Sequence, residues 1–354
     1  RLWKQSSGLM ARSVTQNAGD HGEHYITRDK KEYWAMFYSA AGGGVLIALM
    51  ALFKTYLGSI IDDKVWKGIA EGLNYGLGFM VIFMLHFTVA TKQPAMTAAR
   101  FAEAVEKTPQ GKTVNMKLAQ LLVDVFRSQS IAVLGNVLIA MGLAALIAFS
   151  YQYKTGEPLM NADQIAYQLH SIDPFAGTLW FAAIAGVWLF CSGIISGYFD
   201  NRSNYLNMRM RLAQHPLLKK LMSEKTRVKF ANYMHENYGS LIGNLCFGML
   251  LGITGVVGYL THLPLDIRHV AFSSANVGYI AVSGHFTYSL LLQCIGFVLL
   301  IGLVNLIVSF SLTLWVALRS LNAEIDSCGP IWHEVCQIVK KRPLSLFLPV
   351  QLDK

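Results

Sequence analysis

The sequence predicts an all-α polytopic membrane protein, and three observations predict it. Of 354 residues, 53% are hydrophobic and only 14% charged, where a soluble domain carries about 25% charged residues. The charges gather between long stretches that have almost none. Six of those stretches, at 34–57, 69–91, 131–153, 176–199, 241–263 and 286–318, reach the length of about 20 apolar residues that crosses a bilayer. A soluble core helix keeps a polar face, and these segments lack one.

The elements follow in order. Residues 1–33 are polar and charged, without the pattern of a cleavable signal peptide. They include "GDHGEHYITRDKKEYW", in which His21 and His24 stand three apart beside Asp20 and Glu23. Two histidines at that spacing share a helical face and are a minimal start for a metal site such as zinc. A site needs further ligands, and Gly22 disfavours a firm helix, so surface residues beside the membrane are the favoured reading. Spans one and two occupy 34–92. Segment 93–130 reads as two short amphipathic helices, 95–106 and 114–127, broken at the "TPQG" of Thr108–Gly111. In the second, Val114, Leu118, Leu121, Leu122 and Val125 recur at helical spacing, a stripe suited to the membrane surface or to another helix.

Spans three and four occupy 131–199. In 200–240, "NMRMRLAQHPLLKKLM" alternates apolar and basic residues around Pro216. Spans five and six fill 241–319 around a segment at 264–285, and the tail, 320–354, carries the amphipathic "IWHEVCQIVKKRP". Segment 286–318 makes a helix of roughly 50 Å, so it must tilt, kink or project from the membrane. The amphipathic stretches read as peripheral helices anchored by snorkelling Lys and Arg.

Basic residues orient the chain. Of 30 Lys and Arg, 25 fall before span one, between spans two and three, between four and five, or after six, and 5 fall elsewhere. The positive-inside rule then places both termini and the two basic loops in the cytoplasm. Lys54, at the end of span one, is expected to snorkel outward. The formal charge of +9 is matched to anionic lipid headgroups, so membrane lipids are the expected partner and nucleic acid is not. Cys191, Cys246 and Cys294 lie in spans and Cys328 and Cys336 in the tail, which implies no disulfide framework. No cofactor motif is present.

Within the spans, "SAAGGG" (39–44), Gly72-x-x-x-Gly76, Gly193-x-x-x-Gly197 and Gly248-x-x-x-Gly252 let helices approach closely, as in a compact bundle or a homo-oligomer. Asn74, Asn136, Asn244 and Asn305 put one amide in each of four spans, where each needs a partner. Packing is the favoured role, with a substrate path as the alternative. His86 is the only histidine well inside a clear span and is a functional candidate by position. No span carries a central Asp, Glu, Lys or Arg, which argues against ion-coupled transport.

The stretch "LPLDIRHVAFSSANVGYIAVSGHF" (263–286) is too polar for an ordinary span and too apolar for an ordinary loop. It opens with Asp266, Arg268 and His269, then runs uncharged past Ser273, Ser274 and Asn276. A re-entrant or plug-like segment capping a periplasmic cavity fits this composition, because irregular backbone at membrane depth survives only when buried in protein or lining water. A seventh span would move Lys340–Arg342 outside, against the charge rule. In "FDNRSNY", Asp200, Asn201 and Arg202 either end the fourth helix by local pairing or dock a cytoplasmic partner or a region ahead of this chain; a second copy or another membrane protein is a further expected partner.

Together, "TQNAGDHGEHYITRDKKEYWAMFYSAAGGG", "LNYGLGFMVIFMLHFTVATKQPAMTAA", "SGYFDNRSNY", "LPLDIRHVAFSSANVGYIAVSG" and "LIGLVNLIVSFSLTLWVALRS" resemble the membrane portion of the bacterial "site-specific recombinase" family, Gcr-type, also described as pilin gene-inverting proteins. The resemblance implies a Gram-negative inner-membrane location and, by its name, DNA strand exchange. It also implies a longer parent chain with a further helical region ahead of this one. The residues do not supply the named chemistry. Tyrosine recombinases use His-x-x-Arg, and none of the ten histidines is followed by Arg three positions later. A serine enzyme needs an activated Ser in a soluble domain with clustered arginines. The favoured expectation is a non-enzymatic envelope protein that binds a lipid-like ligand or acts as a scaffold or translocation partner. A small-molecule or lipid transporter is the first alternative and a DNA recombinase the second.

Overall fold

Gly72 and Gly76 on one helix face Gly248 and Gly252 on another, and the two pairs set the axis of the bundle. A Cβ built on Gly248 would meet the Gly76 backbone, and one on Gly252 the Gly72 backbone. Nothing larger than hydrogen fits there, as expected where helices associate by packing rather than by a hydrophobic drive.

The computed structural model describes residues 26–27, 29–89, 93–106, 112–283, 286–321 and 328–349. Among them all regular elements are helical: α1 (Lys30–Ile60), α2 (Lys64–Met84), α3 (Gln93–Glu106), α4 (Lys112–Thr155), α5 (Ala162–Ile172), α6 (Thr178–Tyr205), α7 (Met208–Gln214), α8 (Pro216–Leu221), α9 (Glu224–Thr261), α10 (Val270–Ala281), α11 (Tyr288–Leu321) and α12 (Cys328–Lys341), with 3-10 turns at Pro174–Ala176 and Pro343–Leu346. Five of these, α1, α4, α6, α9 and α11, are long and apolar enough to cross a membrane. The protein is therefore all-α and polytopic in character.

α9 packs on α2 and α6, α1 on α4, and α11 on α6 and α3. In the α1–α4 contact, Cβ atoms on Gly43 and Gly44 would strike Thr88 and the α4 backbone around Asn136 and Ala140. The four span amides all bond backbone carbonyls. Asn74 Nδ2 donates to Met50 (2.9 Å), Asn136 Nδ2 to Ala40 and Thr88, Asn244 Nδ2 to Ser240 (2.8 Å), and Asn305 Nδ2 to Ala182 (2.7 Å) and Arg268 (3.0 Å). Three of the four thus tie separate segments together, the packing role their composition predicts.

Two expectations need correction. The second span does not run to residue 91. α2 begins earlier, in a first turn capped by Asp63, and ends at Met84. His86 follows with φ 57°, exposed and outside any helix. Its carbonyl accepts a bond from Ser39 Oγ (3.0 Å), and Thr88 N–H donates to the Ser39 carbonyl (3.1 Å). The polar "HFT" turn is thus held against α1 instead of extending α2. α2 also carries Lys64, Lys67 and Glu71, which dilute its apolar run and leave it outside the five.

The other correction concerns the amphipathic helix at 114–127, which is not a separate peripheral piece: α4 runs unbroken for 44 residues, about 66 Å at 1.5 Å per residue. The basic stretch around Pro216 forms the short helices α7 and α8, and α9, of 38 residues, begins after it. The stripe Leu118–Val125 meets protein. Phe101 of α3, Leu118, Ala119 and Val123 of α4, and Ile331 and Val335 of α12 form one cluster, so the tail helix is a packed element.

At this basic end of the bundle, Arg127 is almost fully buried. Its NH2 donates to the Thr27 carbonyl (2.6 Å) and pairs with Asp124 (2.9 Å), and its NH1 reaches the Ser345 carbonyl (3.4 Å). Tyr33 OH donates to the Phe347 carbonyl (2.8 Å). One guanidinium therefore joins α4 to the segments before α1 and after α12.

Candidate functional site: a buried helix and a lateral cleft

The segment singled out in the sequence fills the centre of the bundle. α9 stops at His262, whose φ of 55° is the left-handed turn that ends many helices. The chain then runs back alongside α9 in extended form. Leu265 lies against Gly258, Asp266 against Gly255, and the His269 ring 5.9 Å from that of Phe247. That return covers about 16 Å of helix. α10 begins at Val270 beside Gly302 and Asn305 of α11, and its later Val277 clusters with Cys294 and Val298, so it climbs antiparallel to α11. Its twelve residues span about 18 Å, matching the descent.

α10 is buried at ten positions from Val270 to Ile280, Asn276 being the half-buried exception. Gly278 presses on α4, where a Cβ would meet Met141 and Ala144. Tyr279 OH donates to the Ala48 carbonyl of α1 (2.8 Å). Ser274 Oγ donates to the Ala271 carbonyl (2.7 Å), and Ser273 N–H donates to the His269 carbonyl (3.0 Å).

Asp266, Arg268 and His269 turn the descent into the helix. Arg268 NH1 pairs with Asp266 (2.6 Å) and donates to the Ile267 carbonyl (2.7 Å), while Nε donates to the Ser171 carbonyl (2.8 Å). The guanidinium lies 5.3 Å from the centre of the Phe181 ring, within cation–π range. His269 is 1% exposed and sits among the rings of Phe79, Phe247 and Phe272. Its Nδ1 accepts from the Ala271 N–H as the helix cap (3.4 Å). The six predicted residues from Asp266 to Asn276 thus come together; Asn74 joins α2 to α1 instead, and His86 lies beyond the aromatic core, past Phe79 and Ile82.

Asp200, Asn201 and Arg202 do not end their helix, because α6 continues to Tyr205. Asp200 Oδ1 accepts from the Gly239 N–H of α9 (2.8 Å), and Ser203 Oγ donates to the His235 carbonyl (3.2 Å). Those are the two ends of one helical bond position in α9. Arg202 is exposed and Asn201 half-buried. His21 and His24 lie outside the described residues, among which no group of His, Cys, Asp and Glu is arranged to hold a metal.

Two features arise only from the folded arrangement. Lys54 does not snorkel outward: its Nζ pairs with Glu71 of α2 (3.4 Å) and lies 5.6 Å from the Tyr75 ring centre. Their separate positions in two helices hide the pairing, although the short α1–α2 connection brings them level. The second feature is a cleft of about 970 Å³ at the end of the bundle opposite Arg127. It opens between the last turns of α1, the end of α4 and the loop into α5. Leu49, Leu52, Phe53, Tyr56 and Ser59 of α1 line it, with Tyr151 of α4 and Glu157, Pro158, Leu159, Asn161 and Gln164 from the loop and the first turn of α5. Leu49, Phe53 and Tyr56 are exposed, so it is open at the side.

Helices of spanning length around a buried, polar-capped short helix define a polytopic helical membrane protein with a filled centre. More particularly, the chain belongs to the site-specific recombinase family: the family model "Site-specific recombinase" matches residues 1–349. No curated protein and no solved structure matches it.

Proposed function

We propose that the protein is a non-enzymatic inner-membrane protein that holds a lipid-like ligand in the lateral cleft. The observation that carries this reading is the polarity gradient of the cleft. From Leu49 to Ser59 its α1 wall rises about 15 Å, half the thickness of a hydrocarbon core of about 30 Å. Along α1 the lining changes over that rise from Leu49, Leu52 and Phe53 to Tyr56 and Ser59, and the loop after α4 adds Glu157 and Asn161 beside Pro158 and Leu159. An acyl chain below and a headgroup above match that order. The distribution of Lys and Arg supports an orientation with both termini and Arg127 in the cytoplasm and the cleft in the outer leaflet.

In this reading Leu263–Ser283 is re-entrant from the periplasmic side. Asp266, Arg268, His269, Ser273 and Ser274 hold the plug, and half-buried Asn276 is the one member with an amide left to meet a ligand. A transport path from Arg268 to His86 has less support, since Tyr75, Phe79, Ile82 and Phe247 fill the space between as buried core. Asp200 and its neighbours, at the cytoplasmic end, fit a contact with a second membrane protein or a second copy.

A diazirine-bearing phospholipid photolysed with the purified protein in bilayers tests the cleft. Labelling concentrated on peptides covering 49–59 and 151–164 is the expected result. Labelling spread evenly over the exposed faces of α6 and α11 removes the reading. The family's description favours a second reading, DNA strand exchange. Cutting or religation of supercoiled DNA by the purified chain would establish it.

A further inference from the structure

We infer that the cleft selects a phospholipid whose headgroup carries a primary ammonium. This rests on the lipid-binding reading above and names the ligand class. Among the described residues, Glu157 is the one charged side chain in the lining, and no Lys or Arg contributes to it. An anionic headgroup would meet a carboxylate with no cation to offset it, whereas an ammonium finds its counter-charge. The aromatic lining acts in the same direction. Phe53 and Tyr56 are stacked with centroids 6.1 Å apart, Tyr151 lines the same space, and the faces of such rings attract cations.

The phosphate that accompanies such a headgroup has donors. Asn161 and Gln164 form a reciprocal cap at the start of α5: Asn161 Oδ1 accepts from Gln164 N–H and Gln164 Oε1 accepts from Asn161 N–H, each at 2.9 Å. Both oxygens are engaged, which leaves each amide NH2 in the cleft lining free to donate, and an NH2 group supplies two donors. The Asp163 carboxylate in the same first turn disfavours a free anion at that helix end. A zwitterion, with its ammonium near Glu157, is therefore the fitting occupant. A primary ammonium also offers N–H donors to Glu157, which a quaternary ammonium lacks.

Native mass spectrometry of the full chain in detergent, titrated with dioleoyl phosphatidylethanolamine, phosphatidylcholine or phosphatidylglycerol, tests the inference. The ethanolamine lipid is expected to bind at about tenfold lower concentration than the glycerol lipid, the ratio one lost charge contact of 1.4 kcal/mol produces. Phosphatidylcholine should fall between them. Glu157→Gln, at an exposed position, should bring the two extremes together without changing the melting temperature, and Leu52→Trp, which fills the space between Leu49 and Phe53 in the lining, should weaken all three. Equal or tighter binding of phosphatidylglycerol by the wild type overturns the ammonium selectivity and leaves lipid binding standing. A preference that survives Glu157→Gln overturns it too. Retention of no lipid by the wild type removes the lipid reading itself.

Discussion

The side chain of Asn305 is bonded to both limbs of the central hairpin: its Nδ2 donates to the Arg268 carbonyl at 3.0 Å, and its Oδ1 accepts from the Val270 N–H at 3.1 Å. A third bond, to the Ala182 carbonyl of α6 (2.7 Å), makes this amide the point where α6, α11 and the hairpin meet. Asn305→Leu leaves the Arg268 carbonyl and the Val270 N–H without this partner and strips the Ala182 carbonyl of its second bond, in a place water does not reach. At about 0.6–1.7 kcal/mol for each polar contact inside a membrane protein, the loss of three should be roughly 2–5 kcal/mol. Tryptophan-fluorescence melting in detergent should show it; an unchanged midpoint would mean the bonds carry no net stability.

The crossing of α2 and α9 makes a sharper prediction. Gly248→Ala places a methyl on the Gly76 backbone, and a backbone cannot move aside as a flexible side chain can. Overpacking of this kind costs about 1–3 kcal/mol. Gly142→Ala, where a Cβ meets nothing within 4 Å, should be neutral or slightly stabilising because alanine favours the helix by up to about 1 kcal/mol. Similar melting temperatures for the two variants would refute the close-approach account.

Lys54 and Glu71 should behave as a unit. Lys54→Met or Glu71→Leu alone leaves a lone charge beside Tyr75, and the lysine's partial exposure moderates the cost to about 1–3 kcal/mol. The double variant should lose less than the sum. A double-mutant cycle with a coupling energy near zero would show the pair to be solvated.

Arg127→Ala should free the tail. Losing the bond to Ser345 loosens the tail from α4, while Thr27 keeps its bonds to Ser128, so limited proteolysis should cleave around 342–349 several times faster while the membrane helices stay intact. Arg127→Lys keeps the charge but not the planar fork that reaches two carbonyls and Asp124, and should protect only in part. Cleavage rates indistinguishable from wild type would assign the tail's order to α12 packing and the Tyr33–Phe347 bond.

Much of this architecture is legible in composition. Long charge-free stretches announce the spanning helices, and paired glycines at four-residue spacing announce where backbones touch. The central hairpin also shows in the sequence, because Ser273, Ser274 and Asn276 dilute a run too short to cross. Long-range pairing is what periodicity does not reveal. Lys54 looks like any lysine near a helix end until the α1–α2 turn sets it opposite Glu71. Arg127 counts as one more loop cation until α12 and the 343–348 segment fold over it. His86 misled for a related reason: hydropathy continues smoothly through "MLHFTV", while Ser39, far away in sequence, offers the hydrogen bonds that stop the helix. The cleft belongs to the same class, being the space left between three elements instead of a property of any one.

The unbroken course of α4 has a mechanical result. Arg127, at the tail, and Met141, against which Gly278 is seated, ride on one stiff rod about 21 Å apart. Tilting that rod from its basic end swings the wall behind the central hairpin and, farther along, carries Tyr151 toward or away from Phe53. Whatever grips the tail therefore has leverage over the width of the opening on the far side.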